Sequence, residues 1–458
     1  MQGRQEYQPE LFTIINIEAM IPQNHLLRKL ERLLDLTFVR EMTAKFYCND
    51  NGRPSVDPEL FFRMQLIAVF YNIDSDRRLC SEVEFNLAYR WYCKLSLNDG
   101  VPDHSSLTNI RDRLGEETYK NVFEKILQLC RDKGLLKNEV SIFTDGSLVK
   151  ADASMKSIVK RDEDGNPLPE REVAWHAKGQ TYSNKTHVSK SDPDSSLASK
   201  PGNPKALYYK IHASADQKSR IIVDCQVTTG GQHDTTMFTK QIDTILERGF
   251  KIKHSTADRA YGGAENLLHL EDKNIEHSIP LFRPEVGVKE EGFTYNAKKD
   301  IYICPEGHKM HAVGGGDAQK AYQISLVTCR ICPRRDICLP PGKYKTFRGK
   351  KINRSNYQNL FERVLEKEKT KEFRSQLHER MWSMEGLFAE GKTFHGLDRA
   401  RYRGRWKVQA QAYLVSSVQN LKRLMASLLE ALTKVSFFKF NFYKRFSMTK
   451  INSNFIAA

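Results

Sequence analysis

The sequence predicts a mixed α/β protein with an all-helical N-terminal region and a small cysteine-rich segment. Three observations lead to this class. Apolar residues recur at helical spacing from Asp57 to about Gly134. From Val140 the period becomes alternating, as in a strand, and strand-like and helical stretches then succeed one another as far as residue 284. Four of the nine cysteines fall between Cys304 and Cys338, where neither period continues.

Composition places the chain among folded proteins. It has 458 residues, of which 40% are hydrophobic and 28% charged, whereas disordered chains are poorer in hydrophobic residues. No window approaches the roughly 18 uninterrupted apolar residues of a membrane helix. The N-terminus lacks the basic and then apolar pattern of a secretory signal. We therefore expect a cytosolic protein with reduced thiols and no membrane partner.

The net charge of +16 belongs to one end of the chain. From Lys343 onward there are 25 Lys and Arg against nine Asp and Glu, so the first 342 residues are neutral overall. An excess of positive charge favours a polyanionic partner.

Residues 1–137 are the first predicted domain. Helices are expected from His25 to Leu36, after Pro58, from Arg78 to Leu95, and after a cap at Ser105 or Ser106. The last of these carries Arg111 and Arg113. Several short helices with a Pro-containing turn resemble a helix-turn-helix array, which predicts DNA binding or dimerisation; an ordinary helical bundle is the alternative.

Residues 138–284 predict an α/β layer. One strand carries Asp145, and a later strand ends at Asp258. Between them, the polar residues 155–205 are expected to form a loop, and KALYYKIHASA and SRIIVDCQVTTG a hairpin. A helix is expected from Met237 to Gly249.

Residues 343–433 are predicted to be helical again. One long helix begins after Ser355 and includes Glu385, and another runs from Trp406 to Leu432. The tail, 434–458, is basic and rich in Phe; it suits either a terminal strand or a segment that depends on a partner.

The cysteines of residues 285–342 predict a structural zinc site. Cys329 and Cys332 have the C-x2-C spacing that lets one turn present two thiolates to a single ion, and Cys304 and Cys338 complete a set of four. His308 could replace one of them. Unmetallated thiols are the alternative. The other five cysteines are scattered among apolar or aromatic neighbours and are expected to be buried hydrophobic residues.

Three carboxylates carry the candidate chemistry. Asp145 and Asp258 lie near predicted strands, and Glu385 lies on a predicted helix. Acidic residues in such places can hold two divalent metal ions, which activate a nucleophile and stabilise the leaving oxygen in phosphoryl transfer. Hard oxygen ligands suit Mg²⁺ or Mn²⁺. Spacing alone does not select these three from 56 acidic residues.

Asp145, Asp258 and Glu385 are singled out by the resemblance of the segments around them to a known family. TDGSLVKADAS, ADRAYGG and ERMWSMEGLFAEGK, in this order, resemble the DDE transposases of bacterial insertion sequences. The match is closest to the subgroup with a helical N-terminal domain and a four-cysteine insertion before the Glu. It implies an RNase H-like catalytic core made of residues 138–284 and 343–433. It also implies Asp145, Asp258 and Glu385 as catalytic metal ligands, and a nucleoid-associated bacterial protein.

The helix with Glu385 has further features of this resemblance. Lys392 lies seven residues after Glu385 and so on the same helix face, where it could hold DNA phosphate. Arg380, five residues before Glu385, could contact phosphate or form a helix salt bridge. A sister group has Tyr seven and Arg four residues before the Glu, where this chain has His378 and Met381. The excision route therefore stays open.

Other acidic residues are rivals for the metal site. Asp152 lies seven residues past Asp145, hence on the opposite face of a regular strand, and is the second candidate for the first ligand. Asp224 sits within a hairpin strand. His233 and Asp234 could approach the site, but a structural loop role is expected for them.

A basic segment with aromatic residues follows Glu385. Arginine binds phosphate through two parallel hydrogen bonds, and aromatic rings can stack on exposed bases. The side chains expected to contact DNA are Arg111, Arg113, Arg380, Lys392, Arg399, Arg401, Arg403, Arg405 and Lys407. A general basic surface is the alternative.

These observations predict a transposase that cuts DNA at element ends and joins the 3′-OH to target DNA. Its partners would be the terminal inverted repeats and target DNA, and a homodimer would hold two ends together. Two alternatives remain: a related metal-dependent nuclease, and a non-catalytic zinc-containing DNA-binding regulator derived from a transposase.

Overall fold

The computed structural model describes residues 15–48, 55–168, 182–200, 202–283, 291–316, 319–339 and 349–451, with side chains as far as residue 430. The chain divides into two compact units. The first comprises Met1–Asn138, Gly146–Gln232 and Met384–Ala458, and the second Glu139–Asp145 and His233–Ser383.

The N-terminal part of the first unit is helical, as predicted. Its helices are α1 (Ile17–Met20), α2 (Leu26–Leu33), α3 (Phe38–Thr43), α4 (Pro58–Phe70), α5 (Asp76–Phe85), α6 (Leu87–Tyr92) and α7 (His104–Asp132). Asp57 caps α4, and Pro58 occupies its first turn. Most residues of α4 are buried, so this helix forms the centre of the group.

Two boundaries differ from the prediction. The apolar stripe from Arg78 to Leu95 continues through a break, because the side chain of Asn86 accepts hydrogen bonds from Ala88 N and Tyr89 N and starts α6. Helix α7 is capped by Asp103 rather than by Ser105 or Ser106: Asp103 Oδ1 accepts from Ser105 N at 2.7 Å.

The strands that follow are β1 (Glu139–Lys150), β2 (Ile158–Lys160), β3 (His187–Ser189), β4 (Ser196–Lys200), β5 (Asn203–Asp216) and β6 (Ile222–Thr229). The predicted hairpin is confirmed, since β5 and β6 pair antiparallel from Tyr209↔Thr229 to Ala215↔Ile222. The polar segment predicted to be a loop contains β2, β3 and β4, and the β2–β3 pair is antiparallel.

The second unit adds α8 (Thr235–Glu247), β7 (Lys251–Thr256), α9 (Ala264–Asp272) and β8 (Glu276–Ser278). Strand β7 is parallel to both β1 and β8. One sheet has the order β4-β5-β1-β7-β8, with β6 also paired to β5. The mixed α/β class is confirmed.

A second sheet in the same unit is made by the cysteine-rich region. Its elements are β9 (Thr294–Asn296), β10 (Ile301–Ile303), β11 (Lys309–Gly316), β12 (Gln319–Gln323), α10 (Leu326–Arg330), α11 (Arg335–Cys338) and β13 (Lys351–Ser355). The strand order is β13-β12-β11-β10-β9. Tyr302, Met310, Tyr322 and Cys329 belong to its small core.

Three helices complete the chain: α12 (Gln358–Glu368), α13 (Lys371–His395) and α14 (Arg405–Ile451). The long helix predicted after Ser355 is thus two helices. The tail predicted to be a strand or a partner-dependent segment continues α14 as far as Ile451, and its last seven residues lie outside the described part. None of the helices that the structure describes is apolar over a long enough stretch to cross a membrane.

Helix α14 is fixed to the hairpin by side-chain amides. Asn420 Oδ1 accepts from Ile222 N at 2.8 Å and its Nδ2 donates to Ile222 O at 2.9 Å. Gln409 makes the same kind of pair with Val227 N and Cys225 O. These buried amides satisfy backbone groups of β6, which would otherwise be buried without partners.

Candidate active site

Asp145 and Asp258 lie at matching positions of neighbouring parallel strands. Strands β1 and β7 pair up to Phe143↔Thr256. Continuing this register by two residues sets Asp145 opposite Asp258, and neighbouring strands are roughly 4.8 Å apart. Opposite residues of a parallel pair point to the same face of a sheet, so the two carboxylates are on one face at the end of β7.

A tight turn holds Asp258. Its Oδ1 accepts a hydrogen bond from Ala260 N at 2.9 Å, which caps the single 3₁₀ turn Arg259–Tyr261. The turn is closed from the other side, because Phe282 N donates to Gly262 O at 3.0 Å. The carboxylate therefore has one oxygen engaged with the backbone and is fixed in orientation.

Tyr261 is a buried residue of the second unit whose phenol is affected by the charges of several side chains. Its ring is fully buried. Burial raises the pKa of the Tyr261 phenol well above its usual value, the charges of Asp234, Asp145 and Asp258 raise it further, and Arg380 opposes them. The phenol of Tyr261 is therefore subject to the charges of three carboxylates and one guanidinium. The sequence pattern does not single out Tyr261, although it lies within ADRAYGG, and it gives Asp234 only a loop role; Asp234 directly precedes α8.

Arg380 contacts Asp145 directly. Its Nη1 lies 2.8 Å from Asp145 Oδ2, and the two side chains are 11% and 22% exposed. Of the two roles open for Arg380, phosphate contact and a salt bridge, the structure shows an ion pair with a carboxylate on β1. An ion pair shielded from water is stronger than an exposed one, because the effective dielectric constant is lower.

Glu385 follows Arg380 by five residues on α13. Its side chain is exposed, as are those of His378 and Met381. Lys392, seven residues further, is partly buried. Burial lowers the pKa of the Lys392 ammonium, and the nearby charge of Lys200 lowers it further.

The predicted metal sites are not assembled in the structure. Among the described residues there is no group of three or more His, Cys, Asp or Glu side chains placed to hold a metal ion. Asp145 and Asp258 nevertheless fit a hard divalent cation chemically, since both offer carboxylate oxygens on one face. Convergence of Glu385 with them stays a prediction.

The four cysteines face one small cavity in the second unit. Cys304, Cys329, Cys332 and Cys338 line it together with His308. Burial raises the pKa of the Cys338 thiol, with Lys350 opposing this and Cys332 adding to it. Since none of these residues forms a metal-holding group, the prediction of a structural zinc is not supported.

The basic residues predicted to contact DNA fall into two classes. Arg399 and Arg403 pair with Asp152 at 2.7 and 3.4 Å but stay 58% and 57% exposed, and Arg405 is exposed. Arg113 is also exposed, with its guanidinium over the ring of Tyr47. These side chains can reach a phosphate.

Three others are held within the protein. Arg111 is 2% exposed, is paired with Asp76 at 2.7 Å and lies 3.8 Å from the centre of the Tyr402 ring, which is a structural use and not a DNA contact. Burial lowers the pKa of Arg401. Lys407 binds Asp112 at 2.6 Å.

The rival carboxylates have other partners. Asp152 is engaged by Arg399 and Arg403, as described above. Asp224 is fully buried in β6, where it accepts from Gln226 Nε2 at 3.1 Å. Both belong to the first unit, whereas Asp145 and Asp258 belong to the second.

Replacing Gly262 should disturb the turn that holds Asp258. A Cβ at this position would lie 1.8 Å from Pro280 O and 2.9 Å from Phe282 N, and both are backbone atoms. We expect Gly262→Ala to lower the free energy of unfolding by about 1 to 3 kcal/mol through overpacking. Urea denaturation measures this. Gly263→Ala is the control, since its Cβ would meet only Thr235 at 3.9 Å and should cost much less.

Comparisons with known proteins agree on one class. A family model described as a transposase domain (DUF772) matches residues 15–113, and one described as a transposase DDE domain matches residues 303–425. The second match includes Glu385 but neither Asp145 nor Asp258. No curated protein matches the chain.

Solved transposase structures are distant. The Mos1 mariner paired-end complex with Mn is 13% identical, covers 59% of this chain and 72% of its own, and gives a TM-score of 0.17. A piggyBac transposase synaptic complex with hairpin DNA is 9% identical to this chain. The match covers 86% of this chain and 71% of the piggyBac chain, with a TM-score of 0.32. The family resemblance is therefore to transposases, and it rests on the two matched segments, residues 15–113 and 303–425.

Proposed function

We propose that the chain is a DDE transposase of the insertion-sequence type, which cuts DNA at the ends of its element with water and then joins the free 3′-OH to target DNA. Asp145, Asp258 and Glu385 would hold the Mg²⁺ or Mn²⁺ ions of this reaction. The observation that carries the proposal is the parallel pairing of β1 with β7, which ends at Phe143↔Thr256, two residues before Asp145 and Asp258.

The protein needs no nucleophilic side chain for this chemistry, because water and a DNA hydroxyl attack in turn. Bound divalent ions would activate the attacking oxygen and stabilise the leaving one. Asp258 is oriented by Ala260 N, and Tyr261, at the end of the same 3₁₀ turn, is fully buried.

The DNA would be held by the exposed basic residues near the C-terminal end. Arg399, Arg403 and Arg405 offer guanidinium groups to solvent, and Lys392 follows Glu385 by two helical turns. Phosphate contacts of this kind position DNA without reading its sequence. Terminal repeats and target DNA are the proposed partners, and a homodimer would hold two ends together.

Joining is tested directly with pre-cut ends. Purified protein, Mg²⁺ and a duplex that carries a free 3′-OH at the element end are incubated with supercoiled plasmid. We expect strand-transfer products in which the labelled end is covalently joined to the plasmid. The same duplex ending in a 3′-deoxynucleotide should give none. Hydrolysis of uncut ends without any joining would identify a nuclease instead and would contradict the proposed strand transfer.

A further inference from the structure

The chain between α13 and α14 carries exposed arginines on a backbone that is fixed at its start. This arginine segment, residues 398–405, belongs to the first unit. Lys150 N, at the end of β1, donates to Asp398 O at 3.0 Å, and Ala400 N donates to Lys150 O at 2.8 Å. These bonds form a short parallel bridge between Lys150 and Arg399. The start of the arginine segment is therefore attached to a strand.

The other end of the arginine segment is held by two carboxylates of the same unit. Gly404 N donates to Asp192 Oδ1 at 3.1 Å, and Arg405 N donates to Asp194 Oδ2 at 2.9 Å. Asp192 is 1% exposed, so this attachment is shielded from water. With both ends fixed, the backbone sets the directions in which the arginine side chains leave the segment.

Asp152 joins two of these side chains. Its Oδ1 accepts from Arg399 Nη2 at 2.7 Å, and its Oδ2 lies 3.4 Å from Arg403 Nε. Arg403 Nε also donates to the backbone oxygen of Asp152 at 2.9 Å. One residue therefore holds two guanidinium groups side by side.

Both guanidinium groups keep donors for another acceptor. Each has five N–H groups, and the contacts with Asp152 use Nη2 of Arg399 and Nε of Arg403. The Arg399 and Arg403 side chains are 58% and 57% exposed, and Asp152 is 35% exposed. Ion pairs this open to water contribute little to stability. Their shared geometry therefore calls for an explanation other than folding.

We propose that Asp152 is a positioning residue for DNA binding, which sets the guanidinium groups of Arg399 and Arg403 so that both bind neighbouring phosphates of a DNA strand. The inference rests on the proposed function, because it takes these two arginines to contact DNA. It adds that an acidic residue strengthens the binding of an acidic ligand.

Two effects of Asp152 on DNA affinity oppose each other. Its negative charge repels phosphate, and an exposed charge of this kind changes an affinity by roughly one- to fivefold. Ordering a long side chain on binding costs roughly two- to tenfold in affinity for each side chain, and Asp152 orders two of them in advance. Positioning should therefore outweigh repulsion, and loss of the carboxylate should weaken DNA binding.

Fluorescence anisotropy with a labelled duplex of random sequence, in EDTA and at several salt concentrations, measures this effect. We expect Asp152→Ala to bind about tenfold more weakly than the wild type. The slope of log affinity against log salt should become about 1 unit shallower, because one phosphate contact fewer is made. Asp152→Glu should restore most of the affinity. Tighter binding by Asp152→Ala would show that the carboxylate only repels DNA, and would overturn the inference.

A double-mutant cycle separates positioning from a general effect on the fold. Arg399→Gln together with Arg403→Gln should weaken binding much less in the Asp152→Ala protein than in the wild type, since the arginines are no longer set in place. Equal losses in both proteins would contradict a role of Asp152 through these arginines. Asp272→Asn, which removes an exposed charge in the other unit, should keep its DNA affinity within about twofold.

The outcomes distinguish this inference from the proposed function. If the wild type joins pre-cut ends but Asp152→Ala binds DNA as tightly as the wild type or more tightly, the positioning role fails and transposition stands. If the double arginine variant binds DNA as tightly as the wild type, the arginine segment does not hold DNA, and the positioning role fails with that part of the proposed function.

Discussion

Asp258→Asn should reduce DNA cleavage and strand transfer by at least about 10³-fold while leaving the fold intact. An amide keeps the size of the side chain, and its oxygen can still accept from Ala260 N at the turn. What is lost is the negative charge that a divalent ion requires. Metal-ion stabilisation is worth several kcal/mol, and each 1.36 kcal/mol is a factor of ten in rate. Both activities are measured on labelled element-end duplexes in Mg²⁺.

The matched control is Asp272→Asn, at the exposed end of α9 in the same unit. It removes one negative charge without touching the candidate site, and its activity should stay within about twofold of the wild type. Circular dichroism spectra and melting temperatures should agree among all three proteins. Undiminished cleavage by Asp258→Asn would contradict the catalytic role of this residue. Absence of cleavage from the wild-type protein as well would favour the non-catalytic DNA-binding regulator.

The sequence predicts the strands of the site because their determinants are local. Alternating apolar residues define β1, which includes Asp145, and β7, and small residues after β7 mark the turn that Asp258 begins. The hairpin β5–β6 is predicted for the same reason. Neighbouring residues are sufficient for such patterns, so no long-range information is needed.

The contacts that tune the site are not local and could not be predicted. Arg380 contacts Asp145, which lies 235 positions earlier in the sequence, and Arg111 is buried against Tyr402, which is separated from it by an even longer stretch of chain. Helical spacing gives the face on which an arginine lies but not what packs against that face. Helical spacing therefore predicts DNA contact for the basic residues as a group, whereas Arg111 is buried and paired with Asp76.

Local competition explains the boundary errors. Asp103, Ser105 and Ser106 are all good capping residues, and the choice among them depends on where the preceding turn places the backbone. Asn86 separates α5 from α6, but the apolar residues on either side of it keep a single helical spacing. Periodicity alone therefore predicts one helix. A cap inside a continuous stripe is visible only in the hydrogen bonds.

A second large effect is expected at Glu390, in the first unit. Its carboxylate accepts from Lys422 Nζ at 2.6 Å and from Arg423 Nη2 at 2.9 Å, and it lies 3.7 Å from His395 Nε2. The Glu390 side chain is 22% exposed, and that of Arg423 is 16% exposed. Glu390→Gln would leave two cations facing each other without a counter-charge. We expect a loss of about 3 kcal/mol in the free energy of unfolding at pH 7, measured in urea.

The loss of stability should be large because the Glu390 side chain is shielded from solvent. An ion pair of similar length between exposed side chains is therefore the control. Glu366 forms an ion pair of similar length with Lys369, at 2.8 Å, but the two side chains are 72% and 67% exposed. Glu366→Gln should change the free energy of unfolding by less than about 1 kcal/mol. Equal effects of the two substitutions would show that the Glu390 cluster is no stronger than a surface pair.

The cluster also gives a pH dependence with a definite sign. Burial opposes ionisation of Glu390, but the neighbouring His395, the hydrogen bond from Lys422 and the charge of Arg423 outweigh it, so the pKa of this carboxyl is well below its ordinary 4.5. A group with a lowered pKa in the folded state stabilises the protein above its unfolded-state pKa, and this stabilisation is lost as the pH falls below that value. The difference in unfolding free energy between wild type and Glu390→Gln should therefore be constant from pH 7 to about 5 and shrink steadily below pH 4.5. A difference that stays constant down to pH 3 would show that the charge of Glu390 is not the source of its effect.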